Sequence, residues 1–207
     1  MRVQCARVSA ALHFAAIAAI VAGLFWACRF VYRRSSIAGL TFMAGLLVRA
    51  IAAAFFLVIS YFQLPVMTGL QMGNGFWTLA SDAQEYYRLG SLVAESWQYT
   101  ITPGYVGPLA LWMRIVGVNP ASPTLFSLVM YAVAVVAFVG AFGPGRTRAA
   151  QQALHLGVAA LSASPMFVYA GVFGLKDVFF TTLVVGFAVA YLTLVGTAFT
   201  RETLRTN

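Results

Sequence analysis

Carboxylates are the scarcest chemistry in this chain. Five acidic residues stand among 207, and charged residues of both signs make up 9%. A soluble globular domain is about a quarter charged, so a single soluble core is excluded. Cysteine is equally sparse, with Cys5 and Cys28 the only two. On one continuous helix they lie about 35 Å apart at 1.5 Å per residue, too far to pair. No thiol metal motif is present. His13 and His155, the two histidines, lack metal-ligand spacing. Phosphate-binding glycine loops, nucleophile elbows and zinc motifs are also missing. "GPGRTR" is a turn rather than a nucleotide loop.

What fills the chain instead is apolar: 61% of residues are hydrophobic. Several runs reach the roughly 20 apolar residues that cross a bilayer. Period-two alternation in segments of about ten residues, the mark of a membrane β-barrel, is not seen. The expected fold is an all-α integral membrane protein of about five transmembrane helices, with an outer loop carrying amphipathic juxtamembrane helices. The net charge of +8 comes from arginines beside apolar runs. It therefore signals topology and anionic headgroups, not nucleic acid.

Spans are expected at about 10–30, 37–62, 123–142, 149–169 and 178–199. The first resembles a signal peptide, but its apolar run is longer than a signal core, so a retained span is expected. Residues 63–103 read as irregular, with "LPVMTGLQMGNGFW" rich in turn residues. Residues 103–117 are too short to cross and are interrupted by Pro108, so they are expected at the interface. With alternating spans, Arg29/Arg33/Arg34, Arg146/Arg148 and Arg201/Arg205 share one side, the cytoplasm by the positive-inside rule. Arg2 and Arg7 fall on the other. That other side also holds Asp82, Glu85, Glu95 and Asp177, four of the five acids.

"SDAQEYYRLGSLVAESW" opens at Ser81, and Ser81 with Gln84 fits a capping box. Asp82 and Glu85 would sit in the first turn, favoured by the helix dipole. At about 100° per residue, Asp82, Tyr86, Leu89, Val93 and Trp97 share one face, while Arg88 and Glu95 lie on the opposite, watery one. Asp82 is thus expected on the apolar face, where a carboxylate is costly unless paired or used. Arg49 interrupts the second span. It is either a structural cation with an internal partner or a cation for a lipid phosphate. Lys176 and Asp177 open the fifth span, where they could act as an interface anchor or as a site.

From Ile37 to Phe199, the order of these features resembles the N-terminal half of the GT-C fold membrane glycosyltransferases. These are bacterial relatives of protein O-mannosyltransferases and aminoarabinose transferases. The matching elements are "SDAQEYYRLGSLV" after a span, then "TPGYVGPLALWMRIVGVNP", an arginine turn, "SASP" and "GLKD". The resemblance implies sugar transfer from a polyprenyl-phosphate donor to an acceptor on the non-cytoplasmic face of a bacterial inner membrane. It implies Asp82 as catalytic base, with Glu85 or Asp177 as a second acid; the family often has adjacent acids, but Ala83 follows Asp82 here. A cation must stabilise the leaving phosphate, and Lys176, Arg49, Arg114 and Arg88 are the candidates. No cofactor is implied. A divalent cation between Asp82 and Asp177 is the one metal arrangement open to these residues.

The organisation expected is an extra N-terminal helix with a basic loop (1–36), a GT-C-like module (37–199, outer loop about 63–122) and a tail (200–207). The family continues with further spans, so the resemblance implies a partial module completed by a membrane protein partner. The alternative is a non-catalytic membrane subunit. For that reading, "GLTFMAG" and "GVFG" supply small faces for close helix packing.

Overall fold

The computed structural model describes the backbone of residues 2–96, 104–142 and 148–205, and side chains over 11–96, 104–142 and 148–192. The two longest N-terminal helices form an antiparallel pair, α1 (Arg2–Arg34) and α2 (Ser36–Tyr61). Ser35 breaks them apart: its backbone is extended, and its hydroxyl accepts from Ala38 N–H at the start of α2, the usual role of an N-cap serine. The turn is tight because Gly39 has no Cβ; one placed there would lie 2.5 Å from Tyr32 Cα.

Residues expected to be irregular after α2 are ordered. A two-stranded hairpin, β1 (Gln71–Gly73) and β2 (Phe76–Trp77), turns through Gly73, Asn74 and Gly75, all at positive φ. Such backbone favours glycine and asparagine. A 3-10 turn over Thr78–Ala80 then leads into α3 (Ser81–Ser96). Ser81 itself has helical backbone, φ −54° and ψ −35°, so the helix grows out of that turn and Ser81 is not its cap.

α4 (Val106–Val116) is the short apolar helix expected at the interface. Pro108 does not interrupt it. It sits third in the helix, where its missing N–H would have no intrahelical acceptor in any case. α3 and α4 pack as a hairpin through Val93, Ala94, Val106, Leu109 and Met113. Gly90 meets Met113 Sδ and Leu109. Arg114 in the last turn of α4 donates to the carbonyls of Ala94 and Val93, at 2.9 and 2.7 Å, and so closes the C-terminal end of α3.

α5 (Ser122–Phe142) runs back along the bundle. The next span, expected to be continuous, is two helices bent by 48°: α6 (Arg148–Ala163) and α7 (Pro165–Phe173). Pro165 is the cause, since a proline lacks the N–H that a continuing helix needs. α8 (Lys176–Arg205) follows a left-handed Gly174, whose position leaves no room for a side chain against Pro123. Among the described residues, Ala11–Arg34, Ser36–Tyr61 and Ser122–Phe142 are long and apolar enough to cross a membrane, and the bent pair makes a fourth. α8 is the fifth expected span, with side chains described as far as Leu192.

Three contacts fix the ends of the bundle. Ser35 Oγ and His155 Nε2 are 2.9 Å apart, which puts the α1–α2 turn beside the first half of α6. At the other end Pro123 packs on Gly174, and His13 of α1 reaches Gly117 behind α4. Arg33, Arg34 and Arg148 thus belong to one end, and the hairpin, α3 and the start of α8 to the other. The core between them is built from Val31, Phe42, Tyr131, Val135, Leu154, Val158 and Ala170. The side chains of Arg2, Arg7, Arg201 and Arg205, and all of Arg146, Trp97 and Pro103, lie outside the described residues.

Candidate functional site

The site at the loop end is assembled by anchoring the start of α3 against the start of α8. Residues 76–79 are held from two sides. Ser60 Oγ donates to Phe76 O at 2.6 Å, and buried Trp77 donates from Nε1 to Phe56 O at 3.0 Å. From α7, the Tyr169 hydroxyl donates to Leu79 O. The first turn of α3 therefore has a fixed position. The start of α8 is fixed by Gly174, whose carbonyl accepts from the buried Tyr105 hydroxyl at 3.1 Å. Tyr105 in turn stands edge-on to Tyr86, centroids 5.3 Å apart.

This brings Lys176, the only lysine in the chain, onto α3. Its ammonium is 5.6 Å from the centre of the Tyr86 ring. A hydrogen bond with the Tyr86 side chain, and then the charges of Tyr86, Asp82 and Asp177, push its pKa above the ordinary lysine value. Two pairs far apart in sequence are thus brought to the same end of the bundle: Asp82 and Tyr86 at the start of α3, Lys176 and Asp177 at the start of α8. Sequence reasoning placed Asp82, Lys176 and Asp177 on one side of the membrane. It missed Tyr86, although Tyr86 lies one helical turn after Asp82, which is the available signal.

The expected orientation of Asp82 is corrected. Asp82 is exposed, and the buried residues of α3 are Ala83, Gly90, Val93 and Ala94. α3 approaches α4 along its smallest residues, because close approach of two backbones needs small side chains. Tyr86, Leu89 and Val93 of the expected face do pack inward, and the buried set centres about 60° from that face at 100° per residue.

The other candidates separate from this cluster. Glu85 and Arg88 form a forked ion pair, Nε to Oε2 at 2.8 Å and Nη2 to Oε1 at 2.6 Å. The hydrogen bond from Arg88 lowers the Glu85 pKa. Both line an open depression of about 760 Å³ between α3 and the hairpin, together with Tyr61, Asn74 and Tyr87. Glu85, three residues after Asp82 on α3, has its carboxylate committed to Arg88. Arg114 is engaged at the end of α3. Arg49 is 0% exposed. It donates to Gly45 O at 3.0 Å on its own helix, and to Ser162 O and Leu161 O, both at 2.9 Å. Those last two carbonyls end α6 at the bend, where continuation of the helix would otherwise have supplied their partners. Glu95 is exposed, as its position on the watery face implied. Among the described residues no three of His, Cys, Asp and Glu converge on a point where a metal ion would fit.

No family model, curated protein or solved structure matches the chain. The fold and site define an all-α membrane protein with a small charged cluster at one end of its bundle.

Proposed function

We propose that this chain is a glycosyltransferase-like membrane protein, acting on a polyprenyl-phosphate-linked sugar at the face where α3 and α8 begin. The observation that carries the proposal is the Lys176 ammonium 5.6 Å from the ring of Tyr86, which lies one helical turn after Asp82. An anionic lipid phosphate needs a cation at the membrane border, and a hydroxyl acceptor needs a nearby base. In this reading the acceptor oxygen attacks the anomeric carbon as the bond from that carbon to the phosphate oxygen breaks. The acceptor proton passes to the Asp82 carboxylate, and polyprenyl phosphate leaves with its charge facing Lys176. The Tyr86 ring, 5.6 Å away, faces the ammonium. The depression lined by Glu85, Arg88 and Asn74 offers polar groups for an acceptor. In this reading the face is the periplasmic side of a bacterial inner membrane, which the arginines at the opposite end support.

A second reading has its own observation. Arg49, Arg88 and Arg114, three of the four candidate cations, are engaged within the chain. That pattern suits a subunit whose charges serve assembly and whose partner supplies the chemistry.

The test uses the protein in lipid nanodiscs with a panel of polyprenyl-phosphate-linked sugars, measuring release of polyprenyl phosphate. Asp82→Asn is expected to slow release by about 10²- to 10⁴-fold, the range for loss of a positioned base. Full activity in that variant removes Asp82 as the base. No release from any donor by the unaltered chain, alone or with co-purifying partners, favours the subunit.

A further inference from the structure

We propose that the furrow between α1 and α5 holds one chain of an anionic phospholipid whose phosphate sits at Arg34. This site is at the opposite end from Lys176 and is independent of sugar transfer. The furrow has a volume of about 400 Å³. Ile20, Gly23, Leu24 and Trp26 of α1 line it, facing Ala132 and Val136 of α5. It is open at Gly23, where an added Cβ would meet nothing within 4 Å. Both walls belong to membrane-crossing helices, so hydrocarbon rather than water fills it.

Hydrocarbon alone would be ordinary solvent. What makes the furrow a specific site is the path that leaves it. Trp26, in its wall, stacks on Phe30 at 5.3 Å with the rings 21° from parallel. The Arg34 guanidinium lies over the other part of that rail, 5.2 Å from the Phe30 centroid. Trp26, Phe30 and Arg34 are spaced four residues apart, so they share one face of α1. The furrow wall at Trp26 is thus followed along one face of α1 by Phe30 and then by a cation at the helix end.

The lengths agree with a lipid. At 1.5 Å per residue, Trp26 and Ile20 lie about 12 and 21 Å from Arg34 along the axis. Half of a bilayer is about 15 Å of hydrocarbon with a further 5–7 Å of headgroup. A chain hanging from a phosphate at Arg34 therefore passes Trp26 and lies in the furrow down to the bilayer centre. The charge points to an anionic headgroup. Arg29 and Arg33 flank the same helix end, while Asp82, Glu85, Glu95 and Asp177 sit at the far end of the bundle.

Native mass spectrometry of the delipidated full chain, titrated with phosphatidylglycerol or phosphatidylcholine, tests this. One phosphatidylglycerol is expected to bind about fivefold more tightly than phosphatidylcholine, the factor one basic group contributes near an anionic surface. Arg34→Gln, at an exposed helix end, is expected to remove that preference, weakening phosphatidylglycerol more than phosphatidylcholine. Gly23→Phe, which fills the furrow, is expected to weaken both lipids more than tenfold at an unaltered unfolding temperature. Gly23→Leu gives the same reading should the phenylalanine variant fail to fold. Equal lipid binding by all variants overturns the proposal. So does a dimer of this chain that Gly23→Phe or Gly23→Leu abolishes while lipid binding persists, since the furrow then belongs to a second copy.

Discussion

The guanidinium carbon of Arg49 lies 4.0 Å from the centre of the Tyr131 ring, and both side chains are buried. The Tyr131 hydroxyl shares a hydrogen bond of 2.7 Å with Ser162 Oγ, and Ser162 O accepts from Arg49. Three helices, α2, α5 and α6, are thus tied at one point with no carboxylate involved. The positive charge is met by an aromatic face and by carbonyl dipoles at the helix bend.

That arrangement predicts the outcome of replacing Arg49. Arg49→Met leaves the Leu161 and Ser162 carbonyls without partners in an apolar surrounding. The expected loss is about 2 kcal/mol, with a buried unpaired carbonyl worth roughly 1–3 kcal/mol. Arg49→Lys is expected to fare no better, because one ammonium cannot reproduce a planar fork reaching three acceptors. Thermal unfolding in detergent measures both. An unchanged unfolding temperature for the Met variant would show that the bend does not depend on Arg49.

Glycine substitutions should divide by what surrounds them. Gly39→Ala drives a methyl toward the Tyr32 backbone, and Gly45→Ala toward Tyr131 Oη at 2.6 Å and Ser162 Cβ at 2.9 Å. Each is expected to destabilise by about 1–3 kcal/mol, the usual range for overpacking. Gly186→Ala meets nothing within 4 Å and should be neutral or slightly stabilising, as alanine is the better helix former. Equal effects at all three positions would refute the packing account of α1–α2 and α2–α6.

Lys176 carries the pH prediction. Its pKa is raised, chiefly by the hydrogen bond with Tyr86. A raised folded-state value means that its contribution to stability is fully present at neutral pH. It stays so up to the ordinary lysine pKa of about 10.4, and is lost as pH rises through the folded value. Tyr86→Phe should bring the Lys176 titration back toward the ordinary value. Because Lys176 is the only lysine, a single isotopically labelled ammonium-bearing side chain reports this by NMR. A titration unchanged by Tyr86→Phe would sever the proposed link.

Tyr105→Phe tests how the cluster is positioned. The change removes the donor to Gly174 O while keeping the ring against Tyr86. The expected cost is about 1–2 kcal/mol, a lost hydrogen bond plus an unpaired buried carbonyl. It should also shift the Lys176 resonance, since Gly174 sets where α8 begins. A destabilised protein with an unmoved Lys176 resonance would show that Tyr105 supports the fold alone.

The helices were readable from the chain because apolar runs long enough to cross a membrane have few other fates in water. α2 and α5 fall within a residue or so of the boundaries expected from hydropathy. The hairpin was not anticipated, although Gly73-Asn74-Gly75 is its turn signal; a two-residue strand offers too little alternation to detect. Pro165 marked the bend, but a continuous span was expected because hydropathy does not register a missing N–H. The partners of Arg49 could not be read in advance for the same reason, as they are carbonyls freed by that bend. Asp82 was misplaced for a different reason. Hydrophobic phase weighs side chains by transfer energy, whereas α3 meets α4 where Gly90 and Ala94 allow close approach.

Arg49 also sets an order of events during synthesis. Its acceptors Leu161 and Ser162 lie 112 and 113 residues further along the chain. At roughly 5–20 residues per second, α2 leaves the ribosome several seconds before α6 exists. Insertion of a lone arginine at a helix centre costs about 2.5–3.5 kcal/mol, so the apolar remainder of α2 must carry it until then. The Tyr131 ring of α5 is made first, and α6 then supplies the two carbonyls that complete the partners of Arg49.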